Sequence, residues 1–191
     1  TPGALEGMLK SVYWKPAIAY VIDKIIVFHD IDYANIRRNE VKDKVLLSAV
    51  KGQMSGKDAD PSIYASESRS QRASMVLKNV KYGVEFHFEL TGLKSDTETD
   101  SEKKHYNIIK RRLEKGQWYR MPCLGCSEFP VRKIELVEGF DMNLISSRIL
   151  EMGDVDLGYM SYKVVFDDGG KPVNGDWEHP KFSDKATTMY Y

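Results

Sequence analysis

The chain has 191 residues, of which 42% are apolar and 29% charged, and its 28 basic residues balance its 28 acidic ones. This length can bury a real core and suits one domain with a small appendage. Mean hydropathy is −0.44 and the longest apolar stretch, 17–28, contains two charges, which argues against a membrane span. No signal peptide is recognisable, and two cysteines suit a reducing compartment, so we expect a cytoplasmic protein.

The first half of the chain predicts a helix, a strand and an insertion. Thr1 and Pro2 are typical of a helix start, and Pro16 predicts its end. Residues 17–28 are rich in β-branched side chains and predict a long strand. Residues 30–72 are polar and weakly periodic, so they predict an irregular insertion with a short strand at 44–50.

The second half predicts a mixture of strands and helices. Apolar and polar residues alternate over 80–90, which predicts the clearest strand of the chain. A helix is predicted over 102–115, with Tyr106, Ile109 and Leu113 as its buried stripe. The remaining predictions are strands at 132–137 and 157–166 with a short helix between them at 143–152.

The order of these elements predicts the fold class. Helix, strand, strand, helix and strand become the βαββαβ plan of ferredoxin-like and RNA-recognition-motif domains when one strand is added in front. We therefore predict an α+β protein with a ferredoxin-like domain whose first strand is absent from this chain. That fold alone does not decide function, although it favours an RNA-binding surface.

A basic segment dominates the charge distribution. Seven basic and two acidic residues lie between Ser101 and Arg120, so this segment carries a net charge of +5 in a neutral chain. Such a patch attracts phosphate groups, and a histidine within it can transfer protons near neutral pH. The alternative interpretation is an ordinary solvated helix face.

The two cysteines form a single C-x-x-C pair. Cys123 and Cys126 have no second pair at the spacing that zinc sites require, and a proline precedes the first of them. We interpret both as plain loop or buried cysteines and predict neither a metal site nor a cofactor.

Four motifs occur in order along the chain: SVYWKP at 11–16, NIRRNE at 35–40, KHY at 104–106 and LGCSEFP at 124–130. Together they resemble the subtype I-C member of the fifth CRISPR-associated (Cas) protein family, the repeat-processing endoribonuclease. The resemblance implies a ferredoxin-like RNA-binding and catalytic domain at 1–140, with an insertion at about 30–75, and a smaller antiparallel β region at 141–191.

The resemblance also implies a function. The protein would cut CRISPR repeat RNA at the base of its hairpin without a metal, stay on the 5′ handle of the crRNA, and join the other subunits of the type I-C interference complex. Tyr13 matches the tyrosine of the family's catalytic set, and Lys104 and His105 match its lysine and histidine.

These residue types suit metal-free RNA cleavage, in which the neighbouring 2′-OH attacks the phosphate and leaves a 2′,3′-cyclic phosphate and a 5′-OH. His105 would act as acid or base, and Lys104 would stabilise charge on the phosphorane. Tyr13 is a poor base unless cations lower its pKa, so orienting the 2′-OH is its alternative role. RNA contacts are expected from two arginines of the insertion and from the basic segment with its aromatic pair: Arg37, Arg38, Lys110, Arg111, Arg112, Trp118, Tyr119 and Arg120.

Two rival functions stay open at the level of sequence. The first is a non-catalytic subunit that holds crRNA, and the second is a general module that binds duplex DNA. Without the resemblance, Tyr13 is more simply interpreted as a core aromatic at the end of an amphipathic helix.

Overall fold

The computed structural model describes residues 1–94, 100–167, 171–178, 181–183 and 188–190. The protein is of mixed α/β class with antiparallel sheets, and it divides into two compact units. Unit 1 comprises Thr1–Asp30 and Val80–Tyr191, and unit 2 comprises Ile31–Asn79. Among the described residues, no helix is both long enough and apolar enough to cross a membrane.

Unit 1 begins with a helix and a strand and resumes after unit 2 with a strand and a second long helix. Its elements are α1 (Pro2–Val12), β1 (Ile18–Val27), β4 (Tyr82–Leu90), α3 (Glu102–Glu114), a 3₁₀ turn (Met142–Leu144), α4 (Ser147–Glu151), β5 (Val155–Asp156), β6 (Met160–Phe166), β7 (Pro172–Glu178), β8 (Lys181–Ser183) and β9 (Thr188–Tyr190). Unit 2 contains β2 (Asp32–Val41), α2 (Leu47–Met54) and β3 (Arg69–Lys78).

The main sheet of unit 1 has the strand order β4-β1-β9-β8-β5, and each neighbouring pair is antiparallel. β6 and β7 form a separate antiparallel hairpin. β1 pairs with β4 along its whole length, from Ile18 opposite Leu90 to Val27 opposite Tyr82. A bulge between Ile22 and Lys24 shifts the register, so this apolar strand carries Asp23 without losing its buried face.

The core lies between one face of this sheet and the helices α1 and α3. Apolar side chains spaced three or four residues apart on each helix meet the alternate side chains of β1 and β4, as amphipathic periodicity requires. The buried cluster contains Leu5, Met8, Leu9, Val12, Tyr13, Ile18, Tyr20, Ile25, Ile109 and Leu113, and Tyr82, Val84, Phe86 and Phe88 of β4 pack against it.

Most of the elements predicted for unit 1 are confirmed. α1 ends at Val12 ahead of Pro16, and β1, β4 and α3 lie within two residues of their predicted bounds. The strand predicted at 132–137 is wrong, because this segment has no regular structure even though Ile134 packs on the core. The prediction that Tyr106 is buried is also wrong, because this residue is 56% exposed.

The prediction of irregular structure over 30–72 is wrong for unit 2. β2 and β3 pair in register from Asp32 opposite Lys78 to Val41 opposite Arg69, and so form a long two-stranded ribbon. Polar side chains occupy both faces of the ribbon, so its sequence lacks the alternation of apolar and polar residues that identifies a strand. The strand predicted at 44–50 is wrong as well: the exposed helix α2 begins at Leu47.

Gly83 provides a test of packing in unit 1. A Cβ atom at Gly83 would lie 2.8 Å from Phe140 Cε1 and 3.0 Å from Phe28 Cε2. We expect Gly83→Ala to lower the free energy of unfolding by about 1–3 kcal/mol, because the rings must shift. Gly7→Ala is the matched control: the space around Gly7 in α1 is open, and removing glycine from a helix should stabilise by about 0.5–1 kcal/mol. Urea unfolding of both variants measures these changes, and equal stabilities would contradict the packing described.

Candidate functional site

The site predicted from distant parts of the sequence comes together in unit 1. The hydroxyl oxygen of Tyr13 lies 3.0 Å from His105 Nδ1, although the two residues are 92 positions apart. Their rings are tilted, with centroids 6.0 Å apart. Hydrogen-bond contact between a phenol and an imidazole is the arrangement that proton transfer between them requires.

Tyr13 is held at the point where α1 stops. It is the C-terminal cap of α1, with extended backbone angles and its N–H donating to the Leu9 carbonyl. The Tyr20 hydroxyl donates to the Tyr13 carbonyl at 2.7 Å, so the strand that follows the helix fixes this residue. The Arg112 guanidinium donates to the Val12 carbonyl at 2.6 Å and lies 5.2 Å from the centre of the Tyr13 ring.

His105 lies in the first turn of α3. Ser101 caps this helix by accepting a hydrogen bond from the Lys104 N–H at 3.3 Å. His105, Ile109 and Leu113 are spaced four residues apart and form the buried stripe of α3. The predicted buried stripe of α3 is therefore wrong at its first member: His105, and not Tyr106, faces the core.

Burial sets the electrostatics of the pair. His105 is 0% exposed and Tyr13 is 4% exposed. Burial raises the pKa of Tyr13 above its usual value, and the nearby cations Lys15, Lys104 and Arg112 offset only part of this effect. The phenol is therefore neutral at physiological pH, which suits it to donate a hydrogen bond and not to act as a free base.

Asp100 contacts both basic residues of the predicted site. One of its carboxylate oxygens, Oδ1, lies 3.3 Å from His105 Nε2 and 3.6 Å from Lys104 Nζ. The contact with Nε2 is within ion-pair distance but is not aligned as a hydrogen bond. Sequence reasoning missed Asp100, although an acidic residue four positions before a lysine is a familiar signal of pairing.

The basic segment that follows lies on the outer side of α3 and in the loop after it. Lys110 pairs with Glu114 at 3.8 Å and Arg111 is exposed. The backbone N–H groups of Tyr119 and Arg120 donate to the Ser11 carbonyl, which ties this loop to the last turn of α1, close to Tyr13. Trp118 and Tyr119 are both exposed, Tyr119 to 88%.

Arg37 and Arg38 belong to unit 2, on neighbouring positions of β2. Arg37 is exposed and stands opposite Ala73 of β3. Arg38 lies on the other face of the ribbon and pairs with Glu40 at 3.1 Å. The two side chains therefore point to opposite faces of the ribbon, which the consecutive arginines of the sequence do not reveal.

A second histidine lies on the exposed face of β4. His87 Nδ1 is 2.8 Å from Asp23, and this hydrogen bond is the main reason why the pKa of His87 is raised. The bulge of β1 places Asp23 where it meets His87. Within the described part of the chain, no three His, Cys, Asp or Glu side chains gather as metal ligands.

Comparisons with known proteins identify relatives along nearly the whole chain. Residues 1–184 match the profile of a family described as CRISPR-associated protein (Cas5). A protein of Mannheimia succiniciproducens, named CRISPR pre-crRNA endoribonuclease Cas5d, is 38% identical over 173 residues, which cover 90% of this chain and 76% of that protein. A protein of the same name from Thermus thermophilus is 30% identical over 174 residues, which cover 90% of this chain and 65% of the relative.

Two solved structures share the fold. A functionally uncharacterized protein of Streptococcus mutans superposes with a TM-score of 0.67 at 21% identity, and a CRISPR-associated protein with a TM-score of 0.56 at 19% identity. Both superpositions cover 100% of this chain, and they cover 79% and 78% of the solved chains.

Proposed function

Because this chain belongs to the Cas5 family of CRISPR-associated proteins, we propose that it is a metal-independent endoribonuclease that cleaves CRISPR repeat RNA at the base of its hairpin. The contact between Tyr13 and His105, which are 92 positions apart in the chain, is the observation that carries this proposal. After cleavage the protein remains on the 5′ handle of the crRNA as a subunit of the type I-C interference complex.

The proposed reaction needs no group from outside the protein and the RNA. The 2′-oxygen attacks phosphorus, the bond from phosphorus to the 5′-oxygen breaks, and the products are a 2′,3′-cyclic phosphate and a 5′-OH. The imidazole of His105 accepts the 2′-OH proton, and the neutral phenol of Tyr13 donates its proton to the 5′-oxygen as that bond breaks. Proton transfer from the imidazolium to the phenolate then restores both groups. Lys104 stabilises the extra negative charge on the phosphorane.

Burial of the pair adds a requirement to this mechanism. His105 has no exposed surface, whereas the Lys104 side chain is 29% exposed. Lys104 therefore meets the RNA first, and binding has to displace the side chains that cover the imidazole before the ribose reaches it. The exposed rings of Trp118 and Tyr119 are suited to stack on bases of that RNA. The cationic side chains around them are suited to contact its phosphates.

The proposal extends to the fold of unit 1. We infer a ferredoxin-like domain, because α1 and α3 pack on one face of the sheet and β1 and β4 are its antiparallel neighbours. β4 is the last strand of the described sheet on that side. A groove of about 580 Å³ runs beside it, with Phe86 and Ile109 among its apolar walls, where a further strand of this plan would pair.

The same burial favours a second candidate function, a crRNA-holding subunit without nuclease activity. An imidazole with no exposed surface suits a structural role in the core, and the basic segment would still bind RNA. A duplex-DNA-binding role is a third outcome that the same experiment separates.

Cleavage in EDTA tests the proposal. The complete protein, incubated with its own repeat RNA in EDTA, is expected to release a fragment that ends in a 2′,3′-cyclic phosphate. An otherwise identical RNA with 2′-deoxyribose before the scissile phosphate should bind equally well and stay intact, because its nucleophile is missing. Binding without cleavage of either RNA would support the structural subunit, and tighter binding to duplex DNA would support the DNA module.

A further inference from the structure

We infer that Asp100 is a positioning residue, whose carboxylate holds the His105 imidazole in the tautomer that leaves Nδ1 free to accept a hydrogen bond from Tyr13. The role is catalytic only if the proposed function is correct, but the tautomer itself is a property of the protein alone. Neither the motifs of the sequence nor the predicted catalytic set includes Asp100.

The geometry gives each ring nitrogen of His105 a different neighbour. Nδ1 lies 3.0 Å from the Tyr13 hydroxyl, and Nε2 lies 3.3 Å from Asp100 Oδ1. The ring is fully buried, and the contact of Nε2 with Asp100 is at ion-pair distance although it is not aligned as a hydrogen bond. Asp100 is itself mostly covered, since only 12% of its side chain is exposed.

The chemistry of the two neighbours decides where the imidazole proton lies. An ionised carboxylate repels a nitrogen lone pair and attracts an N–H group, so it favours the proton on the nitrogen that faces Asp100. A neutral imidazole then has its lone pair on Nδ1, and the Tyr13 hydroxyl donates to it. A carboxylate, an imidazole and a hydroxyl in this order are the arrangement by which hydrolytic triads fix a histidine tautomer.

The contact of Asp100 with Lys104 allows a test that separates a positioning role from a purely electrostatic one. Asp100 Oδ1 also lies 3.6 Å from Lys104 Nζ, so this carboxylate reduces the positive potential that attracts RNA. If Asp100 acted only through its charge, removing that charge would strengthen RNA binding and leave the cleavage step unchanged or faster. If Asp100 positions the imidazole, the cleavage step must slow even though the net charge has become more favourable.

Asp100→Asn is the variant of choice, because it keeps the shape of the side chain and allows its amide to donate to Nε2. Single-turnover cleavage is expected to slow about 100-fold, within the range of proton-transfer catalysis, while the affinity for repeat RNA stays equal or rises. Glu102→Gln is the matched control: it removes one negative charge two positions after Asp100, at the exposed first residue of α3, and should cleave at the wild-type rate.

Nitrogen-15 NMR of the imidazole separates this inference from the proposed function. In the wild type, the His105 ring proton is expected on Nε2; in Asp100→Asn we expect a shift toward Nδ1. A wild-type proton on Nδ1 would overturn the inference whether or not the variant folds. So would wild-type cleavage by Asp100→Asn. If the wild type binds but does not cut RNA and its proton is on Nε2, the proposed function fails and the positioning of His105 stands.

Discussion

Replacing His105 with alanine is expected to slow repeat-RNA cleavage by about 10²- to 10⁴-fold, the range that loss of a general acid or base produces. The imidazole contacts the Tyr13 hydroxyl, and within the described structure no second histidine shares that contact. RNA affinity should change little, because the buried ring offers no surface to the RNA before the site opens. Single-turnover cleavage together with a filter-binding isotherm measures both quantities.

His87→Ala is the matched control for this experiment. His87 lies on the exposed face of β4 and pairs with Asp23, away from the contact with Tyr13. Removing the His87 side chain should leave the cleavage rate within about twofold of the wild-type rate, because an exposed ion pair contributes little. Because His105→Ala also opens a cavity, His105→Gln, which fills more of that space, should lose the same activity with a smaller loss of stability. Undiminished cleavage by either His105 variant would refute the catalytic role.

Lys104→Ala is expected to slow cleavage by about 10²- to 10³-fold, the loss that removal of one charge-stabilising donor produces. The Lys104 ammonium lies 3.6 Å from the carboxylate that also contacts His105, so it belongs to the same small site. Lys103→Ala removes the same charge from the neighbouring, exposed position of α3. The control should keep its cleavage rate and weaken binding only through charge.

The salt dependence of binding distinguishes the two lysine variants further. Each phosphate contact that is lost reduces the slope of log affinity against log salt by about 0.7 for single-stranded RNA. If Lys103→Ala and Lys104→Ala reduce both the slope and the rate equally, the two lysines are interchangeable members of a basic patch. That result would remove Lys104 from the proposed catalytic set.

The sequence predicted the elements that carry a one-sided apolar pattern. α1, β1, β4 and α3 each bury one face, so their periodicity was readable, and the predicted bounds of α3 differ from the observed ones by a single residue. The ribbon of β2 and β3 was missed because neither of its faces is apolar along its length. Ile134 shows the converse error: a short alternating run can pack on the core without pairing as a strand.

The proximity of the candidate residues could be anticipated, but the burial of His105 could not. The resemblance of the motifs to a known family nominated Tyr13, Lys104 and His105, and the structure places Tyr13 in contact with His105 where α1 meets α3. That His105 replaces Tyr106 in the buried stripe did not follow, because a histidine has no strong preference for the interior. The contact of Asp100 with the ring depends on how the chain turns into α3, which spacing alone does not specify.

The two points where the ribbon leaves and rejoins unit 1 lie side by side, since the Phe28 N–H donates to the Lys81 carbonyl at 3.0 Å. Unit 2, which comprises Ile31–Asn79, is therefore an insertion between two neighbouring points of unit 1. The entropic cost of lengthening such a loop grows only slowly with its length, so we expect insertions into the ribbon to cost unit 1 little stability. The inserted segment is therefore free to vary in length and sequence, because the contact between Tyr13 and His105 lies wholly within unit 1.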